Sequence, residues 1–136
     1  MFRVVVGLFL IGHGLAHVGL AAAPISKNPA SRPKLFFGVA SRYWLLPKLG
    51  LPPLATRIVG LGLASLAALG FVLAGLAAAG TAGVTGSFAP LTLAAASLSL
   101  ALFVLFWHPR IVLGALIDVA LLATLLGARR ILGPYL

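Results

Sequence analysis

The chain has 136 residues, 62% of them hydrophobic and 8% charged, with ten Lys or Arg against a single acidic residue. A water-soluble domain of this length needs far more polar surface to cover its core, so composition excludes that class and points to the membrane. The absence of cysteine excludes disulfides, thiolate metal sites, iron–sulfur clusters and covalently attached c-type haem. The formal charge of +9 is scattered around apolar runs, which favours the lipid bilayer and its anionic head groups over nucleic acid as partner.

The first apolar run covers about residues 4–23 and is closed by Pro24. "MFR" before it and "LAAAP" at its end imitate a cleavable leader, but the run is read as a retained span. Residues 24–57 form a long connection. Its first part, "PISKNPASRPK", is irregular; its second, "LFFGVASRYWLLPKLGLPPL", is aromatic and basic. That second part is expected at the membrane interface, with Tyr43 and Trp44 at head-group depth and a small lid over the bundle's mouth.

The second run, about 58–79, ends before the small and polar "GTAGVTGS". The third, about 88–107, carries Pro90 in its first turn, where a missing N–H is tolerated. "HPR" at 108–110 makes a tight turn into the fourth run, about 111–128, which stops against Arg129 and Arg130. Crossing a bilayer takes ~20 residues of helix, and continuous rather than alternating apolar runs favour helices over strands. The expected architecture is one all-α integral membrane domain over 1–136. It is a four-transmembrane-helix bundle with antiparallel neighbours and a long interfacial connection between helices 1 and 2.

Orientation follows from the basic residues. Lys27, Arg32, Lys34, Arg42, Lys48, Arg57 and Arg110 lie on one side; Arg3, Arg129 and Arg130 lie on the other. The positive-inside rule then puts both termini outside the cytoplasm, although Arg3 beside the first helix argues the other way. The abundance of Ala, Gly, Leu and Arg points to a GC-rich bacterial gene, and so to a multi-pass protein of the bacterial inner membrane.

Chemistry concentrates in "LIGHGLAHVGL", residues 10–20, where His13 and His17 stand four apart and share one helix face. Gly12, Gly14, Ala16 and Gly19 around them let a neighbouring helix approach closely. The only acidic residue, Asp118, falls inside the fourth span, where an ionisable group costs ~2.5–3.5 kcal/mol on insertion scales and needs a partner. Helix 1 ends on the side where helix 4 begins. At ~1.5 Å per residue His17 lies roughly 9 Å below that boundary, His13 roughly 15 Å and Asp118 roughly 10–11 Å. The three polar groups therefore share one depth, and they meet if helices 1 and 4 pack together.

Two readings of that cluster stand side by side. In one, Asp118 accepts a hydrogen bond from one or both imidazoles, or from Ser and Thr hydroxyls, and locks helix 1 to helix 4. In the other, His13, His17 and Asp118 form a ligand, proton or metal site. Two His and a carboxylate suit Zn²⁺ or Fe²⁺, and a His/Asp pair can anchor a ligand such as a quinone or move a proton. Haem would need His108 or another chain, because one helix cannot supply both axial ligands. Trp107, His108 and Arg110 are read as interfacial, with His108 capping a helix end. Gly62, Ala64, Ser65, Gly70, Ala74 and Ala78 are read as packing positions of helix 2. Ser97, Ser99 and Thr124 can each bond back to their own helix, so none stands out.

The stretch "RVVVGLFLIGHGLAHVGL", opening a four-helix chain of this length, resembles the DoxX-like group of small bacterial membrane proteins. "RIVGLGLASLAALGFVLAGL" and "FWHPRIVLGALIDVALLATLL" are similar to uncharacterised members of that grouping. The resemblance covers most of the chain and rests on apolar spacing. It implies an accessory subunit of a membrane oxidoreductase, such as a quinone-linked thiosulfate oxidation system, and it marks His13, Gly14 and Asp118. A Lys common in the group after its "HGl" step is here replaced by Ala16-His17, so no mechanism is carried over.

The residues themselves carry no nucleophile–base pair and no phosphate loop. The reading they favour is a non-catalytic accessory or scaffold module, within a homo-oligomer or a larger membrane complex, with no cofactor. The alternative is a ligand-, quinone- or metal-binding protein, with proton-coupled transport as its variant, using His13, His17 and Asp118.

Overall fold

The computed structural model describes residues 1–22, 46–107 and 111–132, and those residues are helical with short turns and no strand. Four helices follow in chain order: α1 (Phe2–Ala22), α2 (Pro53–Ala79), α3 (Phe88–Leu105) and α4 (Val112–Leu132). Single 3₁₀ turns at Leu46–Leu49 and Thr85–Ser87 precede α2 and α3. Among the described residues, three helices are long and apolar enough to cross a membrane, and α4 contributes an apolar stretch over Val112–Gly127.

Helix boundaries differ from the apolar runs where the two are governed by different physics. α2 starts at Pro53 rather than at about 58, because proline at the first helical position already has the right φ and lacks only an N–H that needs no partner there. Arg57 ends the apolar run without ending the helix. Likewise α4 continues through Arg129 and Arg130, which are good helix formers. α2 stops at Gly80, whose φ of +89° suits glycine; Gly80 N–H donates to Ala77 C=O at 3.1 Å and Thr81 N–H to Leu76 C=O at 3.0 Å. α3 stops at Leu105, two residues short of the expected end, with Phe106 N–H closing on Leu102 C=O.

α1 packs on α2, α2 on α3 and α3 on α4. The buried positions of α1 are Gly7, Leu10, Gly14 and His17, a three-four-three spacing that forms one seam. Glycine is required twice along it. A Cβ at Gly7 would sit 2.6 Å from the Gly75 carbonyl oxygen, and one at Gly14 would sit 2.8 Å from that of Ala68. Backbones this close are held by van der Waals contact that any side chain would prevent. Gly12 and Gly19, on the other side of α1, face open space.

Two apolar clusters flank the middle of the bundle. One joins Ala64, Leu102, Phe103, Phe106 and Ile111; the other joins Leu10, Phe71, Ala74, Ala95 and Ala96. The outer surface is apolar as well, with Val4, Leu8, Leu15, Leu66, Leu69, Val104, Leu113, Leu116 and Leu126 exposed. Of the expected interfacial residues, Trp107 is half exposed just past α3. Tyr43, Trp44, His108 and Arg110 lie outside the described residues, as do residues 35–45 of the expected lid and the "HPR" turn.

A candidate His/Asp site between the apolar clusters

His13, His17 and Asp118 come together, as the depth arithmetic expects, and Ser99 of α3 joins them. His13 Nε2 lies 3.0 Å from Asp118 Oδ1, so α1 is tied to α4. His17 Nε2 lies 2.7 Å from Ser99 Oγ, so α1 is also tied to α3. His17 Nδ1 lies 3.0 Å from the carbonyl oxygen of His13, one turn back along the same helix. These contacts join into one chain from α4 through α1 to α3.

Donor and acceptor roles follow from the partners. A carbonyl oxygen only accepts, so His17 carries its proton on Nδ1 and donates it to His13 C=O. In the neutral ring Nε2 is then a lone pair, and the Ser99 hydroxyl donates to it. His13 donates from Nε2 to the Asp118 carboxylate. The other carboxylate oxygen, Oδ2, is buried and has no hydrogen-bond partner among the described residues. An unpaired buried carboxylate oxygen is costly.

Aromatic rings enclose the chain. The edge of Phe71 meets His13 at a centroid distance of 4.7 Å, and Phe9 stacks on the same imidazole at 6.3 Å. His17 sits between Phe71 at 5.8 Å and Phe103 at 5.5 Å, the latter stacked. The two imidazoles meet edge-on at 5.1 Å. His17, Ser99 and Asp118 are at most 1% exposed. Low dielectric around such a chain strengthens each hydrogen bond and raises the cost of breaking one.

Asp118 is the one buried side chain of residues 112–127. α4 thus buries its carboxylate and exposes Leu113, Leu116 and Leu126, while Leu121 and Leu122 pack half buried against the Leu10–Phe71 cluster.

One ligand atom from each of His13, His17 and Asp118 lies within 4.8 Å of the others. With metal bonds of ~2.0–2.2 Å, donors on a tetrahedral ion stand roughly 3.4 Å apart, so an ion would draw the cluster in by about an ångström or more. A groove of about 300 Å³ lies elsewhere, lined by Phe2, Arg3, Val6, Ala77, Ala78, Thr85 and Phe88, and touches none of the cluster.

Ser99 is the member that the sequence does not single out. Its signal lies in spacing: Thr92, Ala95, Ala96, Ser99, Leu102 and Phe103 form the buried face of α3, while Ser97 faces outward. The hydroxyls of Thr92 and Thr124 bond back to Phe88 and Ala120 of their own helices. Ser99 instead serves a neighbouring helix.

No protein-family model matches the chain, and neither a curated protein nor a solved structure does.

Proposed function

We propose that the chain is a multi-pass membrane protein that serves as a non-catalytic accessory or scaffold module of a membrane complex. In this reading the four helices cross the bilayer as antiparallel neighbours, with both termini outside the cytoplasm of a bacterial inner membrane. The observation that carries it is the distribution of polarity. Apolar side chains dominate the outside of α1, α2, α3 and α4, while His13, His17, Ser99 and Asp118 bond within one chain of contacts inside. Lipid or an apolar partner suits that exterior, and the polar chain supplies fastening that apolar packing alone does not provide in hydrocarbon. The DoxX-like resemblance of the first helix agrees with an accessory role.

Native gels and mass spectrometry of gently solubilised membranes test this reading. The chain is expected in an assembly well above its own 13.9 kDa, together with at least one other membrane polypeptide. Recovery as a lone monomer under all mild extraction conditions overturns it.

A second reading is favoured by Asp118 Oδ2, which has no partner among the described residues. In it the cluster is a ligand or proton site, for a quinone or for proton-coupled transport. Quinone analogues that shift the melting temperature of the wild-type chain but not of Asp118→Asn would support it.

A further inference from the structure

We propose that His13, His17 and Asp118 bind one divalent transition-metal ion of the zinc or ferrous class, a role that deepens the fastening proposed above and rests on it. The donor set is two imidazole nitrogens and one carboxylate oxygen, which suits those ions and not the all-oxygen cages of Ca²⁺ or Mg²⁺. The three donors come from helices α1 and α4, so an ion joins them directly. Ser99 Oγ, beside His17 Nε2, stands ready as a fourth oxygen donor or as the holder of a bound water.

Two features go beyond mere proximity. First, His17 donates from Nδ1 to the His13 carbonyl. Metal-ligating histidines are held in this way, with the second nitrogen bonded to a carbonyl and the first left as a directed lone pair. Second, Asp118 Oδ2 is buried without a partner among the described residues, inside a fully buried residue. A cation beside the carboxylate supplies what that oxygen lacks and offsets the buried negative charge.

Binding involves a proton move that balances within the cluster. His13 now holds its proton on Nε2, facing Asp118. As the ion takes Nε2, the proton passes to Nδ1 of the same ring, which no described residue engages. The imidazole stays neutral and no net proton is released. Ser99 turns its hydroxyl from His17 Nε2 toward the ion or its water. Phe71 and Phe103 keep bulk water from the bonds.

The test uses the untagged full chain in detergent micelles, stripped with chelator and titrated with Co²⁺ as a spectroscopic probe, alongside metal analysis of the protein as purified. The expected result is saturation at one Co²⁺ per chain with visible ligand-field bands, displaced by Zn²⁺. His17→Gln and Asp118→Asn should each weaken binding by about 100-fold or more, beyond the effect of losing an outer-shell partner. Ser99→Ala should weaken it by only about tenfold, within the outer-shell range. Variants that keep wild-type helical circular dichroism but bind Co²⁺ as well as wild type overturn the site, as does a folded wild-type chain that binds none. Should the folded chain bind no Co²⁺, a coupling between His13 and Asp118 measured in chelator still leaves the fastening role standing, so the two roles fail separately.

Discussion

His13 of α1 donates to Asp118 of α4 across 3.0 Å, joining two helices that otherwise lie at the two ends of the packing order. The carboxylate concerned is the only acidic group in the chain, and the ring concerned shields it from one side only. Removing either partner leaves the other buried and unsatisfied. His13→Phe should therefore destabilise the bundle by about 3–5 kcal/mol, the range for leaving a buried charge uncompensated, here the Asp118 carboxylate. Asp118→Leu should cost less. The double variant should lie close to wild type, because matched apolar replacements are often neutral. Reversible unfolding in mixed micelles measures the cycle, and strict additivity would show that the two side chains do not interact.

Ser99→Ala removes the hydroxyl that serves His17 Nε2 and should cost about 1–3 kcal/mol for leaving a buried acceptor unmet. Ser97→Ala, on the outer face of the same helix, should stay within about 0.5 kcal/mol. Thr124→Val tests the same point on α4, since its hydroxyl bonds only to Ala120 of its own helix. Equal effects at 97 and 99, read in the same unfolding assay, would remove Ser99 from the site.

Glycine substitutions should separate the two faces of α1. A methyl at Gly14 meets Ala68 O at 2.8 Å and Phe71 Cβ at 3.0 Å, so Gly14→Ala pushes α2 away and carries Phe71 off both imidazoles. The expected loss is about 1–3 kcal/mol, as for other overpacked sites. Gly12→Ala, two residues earlier, enters open space and should cost nothing. Its helix propensity improves by about 1 kcal/mol. Thermal melts of the two variants side by side check the contrast.

Gly80→Ala should lower stability by about 1–2 kcal/mol, because a φ of +89° places Cβ against the backbone. Gly86, which has space and no positive φ, is the control and should tolerate alanine.

Much of this arrangement is legible before any coordinates, and the exceptions have identifiable causes. Long apolar runs announce α1, α2 and α3 directly. The common depth of His13, His17 and Asp118 follows from helical rise alone, because a helix fixes distance along its axis whatever it packs against. Which imidazole Asp118 meets depends on the rotation of α1 about that axis, and Gly7 and Gly14 set it by contact with α2. Ser99 is harder still. A hydroxyl in a helix has a local acceptor always in reach, as Thr92 and Thr124 show, so only the neighbour's position decides. The ends of α2 and α4 differ from the apolar runs because arginine ends a hydrophobic stretch yet continues a helix.

Solid-state NMR of the chain in lipid bilayers, with labelled histidine and aspartate, tests the buried chain of contacts most directly. The expected spectrum shows His17 protonated at Nδ1 with a Ser99 contact at Nε2, and a short-range cross-peak from His13 Nε2 to the Asp118 carboxyl carbon. A carboxyl signal with no imidazole neighbour, or with lipid acyl protons in its place, would contradict it.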